Sequence, residues 1–443
     1  MRDRFPVCVI GAGLAGLAAA WDLARAGRRV LVVERAGVAG GLACSVEVAG
    51  RTVERFHHFI CRGDRDLVEL VAELGLADSL HWRAAETSFL YRGRLYRFSS
   101  PLDLLRFDAV PPMQRLRFGL NVVASRFRRS WRRLDGLPAR TWLIDQIGER
   151  AYEVIWDPLL RVKFGDAHDR VSAAWIWHRI HRVASSRRRI WERERLGYLE
   201  RGSQTLLDAL LGRLAALPGV EVRTGAGVDE IVVDAGRVAA VRVAGDPEPI
   251  RCDQVLSTVA LPGLLRMAPS LPAEYREALG DIEYLAVVCG LLRLDRPLTD
   301  SFWVNINDPR TPYNGIIEYS NLNRHLELGG GSIVYVPLYL PAGHERFGFD
   351  DERLLDEWVR CLECVNPDFD RSWIEEVRVS RAANAQAICD IGFANRMPSH
   401  RTPVEGLYLT DSTQYYPEDR TLSGAIRLGR TAARMMVAED HAS

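Results

Sequence analysis

Three glycines come first among the residues that could do chemistry. Gly11, Gly13 and Gly16 stand in the run GAGLAG, directly after the apolar residues Val7–Ile10 and directly before an Ala- and Leu-rich stretch. Each spacing has a use in holding a dinucleotide. Gly11 permits a tight turn, Gly13 lets the backbone approach a pyrophosphate, and Gly16 lets the following helix pack close to the strand. Leu14 and Ala15 fall in the first turn of that helix, whose free N–H groups and dipole face phosphate charge. A second apolar run, Val30–Val33, leads to Glu34 and Arg35. Glu34 stands where a carboxylate accepts ribose hydroxyls, so these residues and Arg35 make one candidate cofactor set.

Gly40, Gly41 and Leu42 follow almost at once and allow a second backbone approach beside the first loop. This double signature resembles the FAD-binding opening of the amine oxidase, protoporphyrinogen oxidase and phytoene desaturase superfamily, which UDP-galactopyranose mutase shares. An NAD dehydrogenase has no need of the second glycine pair, so the resemblance implies FAD. It extends to two later segments. Residues 197–203 lead into a helical run and then strand-like runs, with Val228 among the implied cofactor contacts. Residues 406–411 read as a strand ending in Asp411, and Leu422 and Ser423 open a final helix. In the resembling families the strand-end acid faces the ribityl chain and pyrophosphate. The last helix points its N-terminus at the flavin pyrimidine ring, where it stabilises negative charge. The families' usual Gly-Asp is Thr410-Asp411 here.

A flavin brings the redox chemistry, and the protein supplies orientation, electrostatics and exclusion of water. Candidate groups for that work are His57, His58, Lys163 and Arg420. The two histidines lie in Arg55-Phe56-His57-His58-Phe59, where the mutase family carries a histidine-containing segment beside the ring. A histidine there can move a proton near neutral pH, or serve as a hydrogen-bonded structural residue. Lys163 is the single lysine among 58 Lys and Arg. A compact ammonium with a tunable pKa does what arginine cannot, and the apolar setting of residues 156–165 implies partial burial. In some amine-oxidising relatives a lysine holds a water at flavin N5, but in a different part of the chain, so Lys163 stands on its uniqueness. Arg420 belongs to the polar loop 415–424, which either passes close to the ring or forms a solvated salt-bridge turn.

The elements that must position these groups imply an α/β fold. A Rossmann-like FAD-binding domain is assembled from residues 1–85, 197–265 and 401–443. A substrate or helical lid region spans 86–196, and a mixed-sheet substrate domain spans 266–400. Hairpins are expected around Gly50 and Gly93, and residues 101–200 read as mostly helical. With 443 residues and 47% apolar content, the chain can bury a sizeable core. Lys plus Arg equals Asp plus Glu at 58 each, so no global field favours nucleic acid. Eight cysteines are scattered, and only Cys361 and Cys364 form a CxxC, so no metal is expected. The start of the chain runs straight into a strand, and no apolar run is long enough to span a membrane; a cytoplasmic location is expected. Residues 115–134 gather arginines among apolar residues. That segment could meet an anionic membrane surface as a peripheral contact, bind a phosphate-bearing substrate, or be a solvated face. The tryptophans and histidines of 175–182 fit a helix core.

Together these readings imply an FAD-dependent oxidoreductase (dehydrogenase, oxidase or desaturase) that moves hydride from a small or lipid-like substrate to flavin N5. The alternative is a reduced-flavin nucleotide-sugar mutase, supported by the histidine segment, the hairpin at 91–96 and the many arginines.

Overall fold

In the computed structural model, residues 5–186 and 193–440 are described. The glycine-rich opening sits on a five-stranded parallel sheet in the order Leu407–Leu409, Gln254–Ser257, Val7–Ile10, Val30–Val33, Val220–Arg223. Its inner strands are buried along their whole length, as apolar runs covered on both faces must be. Helix Leu14–Arg25 leaves the first strand and packs against the final helix, Leu422–Asp440. The two backbones come so close that a Cβ on Gly429 would lie 2.0 Å from the Ala15 carbonyl oxygen. A three-stranded antiparallel sheet, Val228–Asp234, Arg237–Val243 and Ile250–Arg251, flanks this layer.

The second layer is a seven-stranded mixed sheet in the order Ile374–Ala387, Tyr284–Leu294, Ser332–Pro341, Gly315–Glu318, Trp303–Asn307, Thr87–Tyr91, Arg94–Arg97. Strand Tyr284–Leu294 is buried along its whole length. Gly290 in it accommodates Trp358 of helix Asp351–Val365, whose ring stands 2.8 Å from where a Cβ would be. The hairpin expected around Gly93 joins the edge of this sheet through a parallel pairing of Thr87–Tyr91 with Trp303–Asn307. Cys361 is buried in the helix core and both CxxC thiols are free.

Helices fill residues 101–186, and their core gathers Phe107, Trp142, Trp156, Phe164, Trp175 and Trp177. Residues 101–200 are mostly helical, as expected, but the stretch ends in a strand, Arg195–Leu199, paired antiparallel with Leu80–Ala84. The pairing is long-range and therefore invisible locally. Gly197 marks it, because a Cβ there would press on Ile60 and the Trp82 ring at 3.1 Å. Residues 187–192 of that expected stretch lie outside the described residues.

Candidate functional site

The glycine loop forms a cradle that only backbone can line. Gly11 has φ +102°, and a side chain there would strike Thr258 Oγ1 at 2.6 Å. A Cβ on Gly16 would sit 2.0 Å from the Gly11 carbonyl oxygen, so the helix start can lie against the turn only without a side chain. A Cβ on Gly13 would meet nothing within 4 Å, which leaves the loop open on the side where a pyrophosphate would approach. Gly40 has φ +119°, and its N–H donates to the Ala12 carbonyl at 2.8 Å, bringing the second glycine pair and Leu42 against the first loop.

Glu34 is held rigidly at the end of its strand. Its carboxylate accepts from the Ala12 N–H at 2.9 Å and the Ala36 N–H at 2.8 Å. The Ala226 N–H donates to the Glu34 carbonyl at 2.9 Å, so the segment before Val228 runs beside Glu34. Arg35 lies along Gly227, with Cγ 3.5 Å from a Cβ built there.

At the other end, Asp411 is buried and caps the turn that follows its strand. It accepts from the Thr413 N–H at 2.8 Å and the Tyr284 hydroxyl at 2.9 Å, while burial pushes its carboxyl pKa upward. Much of its acceptor capacity is thus turned to the loop itself. Ser423 Oγ, at the head of the final helix beside Leu422, accepts from the Leu67 N–H at 3.3 Å. The buried hydroxyls of Ser257 and Thr410, at the carboxyl ends of adjacent strands, have no partner, and neither does Arg420 Nη1. Buried polar groups are rarely left unsatisfied, so these groups, the open cradle and the strand-end carboxylate of Glu34 together fit a long polar dinucleotide.

The two histidines part company. His57 sits among aromatic rings, 5.3 Å from Phe302, 5.6 Å from Tyr319 and 5.7 Å from Tyr335. Burial pushes its pKa down to about 3, so it stays neutral. His58 faces elsewhere: burial first, and then the neighbouring Arg420 charge, hold it well below the usual imidazole range. Its Nδ1 lies 3.8 Å from Glu54 Oε1. Glu54, absent from the sequence reading, is a buried carboxyl that burial pushes up to about 7, and it accepts from the Ser203 N–H at 3.0 Å.

Lys163 is buried on the short helix Asp157–Phe164. Its Nζ stands 3.7 Å from Asp419 Oδ1, 4.6 Å from the centroid of Tyr339 and 4.7 Å from that of Trp175. Burial pushes its pKa down to about 8, with Asp419 opposing that shift. Burial works to raise Asp419, but Lys163 and Arg179 overcome it and hold the carboxyl at about 2. Arg179 reaches the other Asp419 oxygen at 2.9 Å. Arg420 donates from Nη2 to the Tyr339 hydroxyl at 3.0 Å. The solvated salt-bridge turn considered for 415–424 is therefore not what forms: Asp419 and its partners are largely withdrawn from solvent.

Of the four expected catalytic groups, the fold gathers Lys163, Arg420 and His58, and sets His57 apart in the aromatic cluster. Asp419, from the polar loop 415–424 already singled out, completes the group with Arg179 and Tyr339, which were not read as site residues from sequence. They lie far apart along the chain, and only the short-range neighbour Asp419-Arg420 was within reach of a local reading. A separate cluster, His81, Glu200 and His325, has its ligand atoms within 4.8 Å of one another. The His81–Glu200 hydrogen bond at 3.2 Å and the stacked His81–His325 rings at 4.3 Å account for it.

Comparison with known proteins adds the following. The family described as flavin containing amine oxidoreductase matches residues 14–437. A 15-cis-phytoene desaturase of Synechococcus elongatus is 23% identical over 466 aligned positions, covering 98% of this chain and 96% of its own. Wild-type putrescine oxidase bound to putrescine superposes with a TM-score of 0.71 at 17% identity, covering 98% of this chain and 99% of that one. Reduced UDP-galactopyranose mutase superposes with a TM-score of 0.75 at 16% identity, covering 98% and 96%. At those identities the solved structures report the fold alone.

Proposed function

The chain belongs to the flavin containing amine oxidoreductase family, and from that premise we propose that it oxidises a small or lipid-like organic molecule at the buried cluster of Lys163, Asp419 and Arg420. The protein is an FAD-dependent oxidoreductase. Bound FAD supplies the acceptor for a hydride equivalent. Gly11, Gly13, Gly16, Glu34 and the second glycine pair would hold its dinucleotide, and the head of the final helix would lie near its ring.

The observation that carries the reading is the Lys163–Asp419 pair. A lysine with a pKa near 8 exchanges a proton at working pH, and Asp419 keeps it oriented. Arg420 has one N–H arm, Nη1, free for a polar substrate group. Trp175 and Tyr339 wall the ammonium and keep water out. The His58 imidazole, neutral beside Arg420, is a hydrogen-bonding group rather than a proton shuttle.

The mutase reading drew on the histidine segment, the hairpin at 91–96 and arginines for a diphosphate; of the arginines of 115–134, Arg115, Arg117 and Arg126 lie on helix Pro112–Phe127 and the others follow it. Arg115 and Arg117 donate to the carbonyls of Leu105 and Asp145. The two readings separate by experiment. Oxidised enzyme mixed without oxygen with amines and polyene precursors is expected to lose its flavin absorbance and release an oxidised product. Isomerisation of a nucleotide sugar, seen only after dithionite reduction, would overturn the proposal.

Asp419→Asn gives a signed pH prediction. The Asp419 charge holds the Lys163 pKa up against burial, so its removal lets burial, Arg179 and Arg420 drive that pKa below about 8. Neutral lysine then predominates at lower pH, and the inflection in the rate of flavin reduction moves to the acid side of wild type. A profile unchanged by the substitution would separate Lys163 from the rate.

A further inference from the structure

We propose that helices Pro101–Arg106 and Pro112–Phe127 form a docking surface for the face of an anionic phospholipid bilayer. The longer helix is built inside out. Its protein-facing side carries Phe118 together with the polar Asn121 and Ser125, and the Ser125 carbonyl lies 2.8 Å from His181 Nδ1. The opposite side presents Met113, Leu116, Leu120 and Phe127 to solvent, at spacings of three, four and seven that fall on one helical face. Leu102 and Leu105 of the shorter helix add to it. These six side chains are between 53% and 70% exposed, and together they account for more than half of the large hydrophobic residues that are exposed among the described residues. Single exposed apolar residues need no explanation, but a periodic stripe on adjoining helices marks an interaction face.

The two helices form one surface. A Cβ on Gly119 would lie 3.5 Å from Leu104, and the Arg115 guanidinium donates to the Leu105 carbonyl. Phe107 and Val110, both buried, pin the connection to the helical core.

Charge selects the occupant. Residues 109–134 hold seven arginines and no Asp or Glu. Arg128, Arg129, Arg132 and Arg133 are exposed at the end of the stripe, and none is ion-paired with a carboxylate among the described residues. An apolar stripe ending in guanidinium groups that no carboxylate among the described residues neutralises matches an acyl boundary beneath negative headgroups. A second copy of this chain would set arginine against arginine. No helix among the described residues is long and apolar enough to cross a membrane, so contact of this kind is in-plane.

Helix Pro112–Phe127 packs on helix Ala173–Ser186, which contributes Trp175 and Arg179 to the Lys163 cluster. The docking face thus lies one helix away from the candidate site. The inference stands without any assignment of substrate.

The test is flotation of the FAD-loaded protein with vesicles of phosphatidylcholine alone and with added phosphatidylglycerol. Wild type is expected to float with the anionic vesicles at least tenfold more than with the neutral ones, and to be released by 0.5 M salt. Leu116→Glu with Leu120→Glu is expected to abolish flotation while the flavin spectrum and melting temperature stay at wild-type values. Arg128→Gln with Arg129→Gln weakens it without touching the apolar stripe, which guards against a misfolded first variant. Failure of the wild-type holoprotein to float, equal flotation with both vesicle types, or flotation unaffected by either variant would overturn the inference. So would a concentration-dependent dimer that the leucine variant abolishes in place of vesicle binding.

Discussion

Lys163→Met is expected to slow reduction of the flavin by substrate by about 10²- to 10⁴-fold, the usual contribution of a positioned proton-transfer group, while leaving flavin content near wild type. The separation follows from geometry. Lys163 lies against Tyr339, Trp175 and Asp419, and not in the glycine cradle. Methionine fills nearly the same volume between two aromatic walls, and Asp419 keeps its ion pair with Arg179, so the carboxylate is not abandoned in the interior. Lys163→Arg is the informative companion. It keeps a cation beside Asp419 but cannot release a proton at working pH, and its planar fork does not fit where a compact ammonium sat. Anaerobic stopped-flow absorbance reads both variants. Rates within about threefold of wild type would remove Lys163 from the chemistry, the size of effect expected of a spectator.

Gly16→Ala is expected to cost the protein its cofactor. The added methyl would lie 2.0 Å from the Gly11 carbonyl oxygen and 3.0 Å from Thr258 Oγ1, and the first of these is backbone that cannot swing away. Either the helix start moves or the turn opens, and both displace the N–H groups meant for the pyrophosphate. An overpacking penalty of about 1–3 kcal/mol corresponds to a loss of affinity of roughly five- to 150-fold. Isothermal titration of the apoprotein with FAD measures it directly. Gly13→Ala is the useful contrast: its Cβ meets no protein atom, so any loss there comes from collision with the ligand itself.

The cofactor half of the molecule was legible because its signals are local. The tight turn, the close packing of helix on strand and the acid at a strand end all occur within one short stretch, and the strands Val7–Ile10 and Val30–Val33 fall where apolar runs and glycines put them. The cluster around Lys163 is a product of long-range contact. Lys163 could be noticed for its uniqueness, but its partners come from the loop before the last helix and from strand Ser332–Pro341. No spacing rule connects them. The adjacent pair His57 and His58 shows a subtler limit. Two histidines that look alike in sequence meet an aromatic cluster in one case and a guanidinium in the other, because each packs against different distant segments. The basic segment 115–134 was readable as a surface, but which face of the helix pointed outward was not. Its apolar side faces solvent because Asn121 and Ser125 are the residues turned to the core.

The central claim is that substrate gives up hydride to the flavin beside a lysine that changes its proton occupancy near pH 8. The most direct measurement is the rate of anaerobic flavin reduction by an oxidisable substrate, recorded from pH 6 to 10 in wild type and in Lys163→Met. The account predicts a wild-type rate that rises with pH and levels off above about 8, and a far slower variant whose profile lacks that inflection. Superimposable profiles of equal rate, or a flavin that no substrate reduces and only dithionite bleaches, would contradict it.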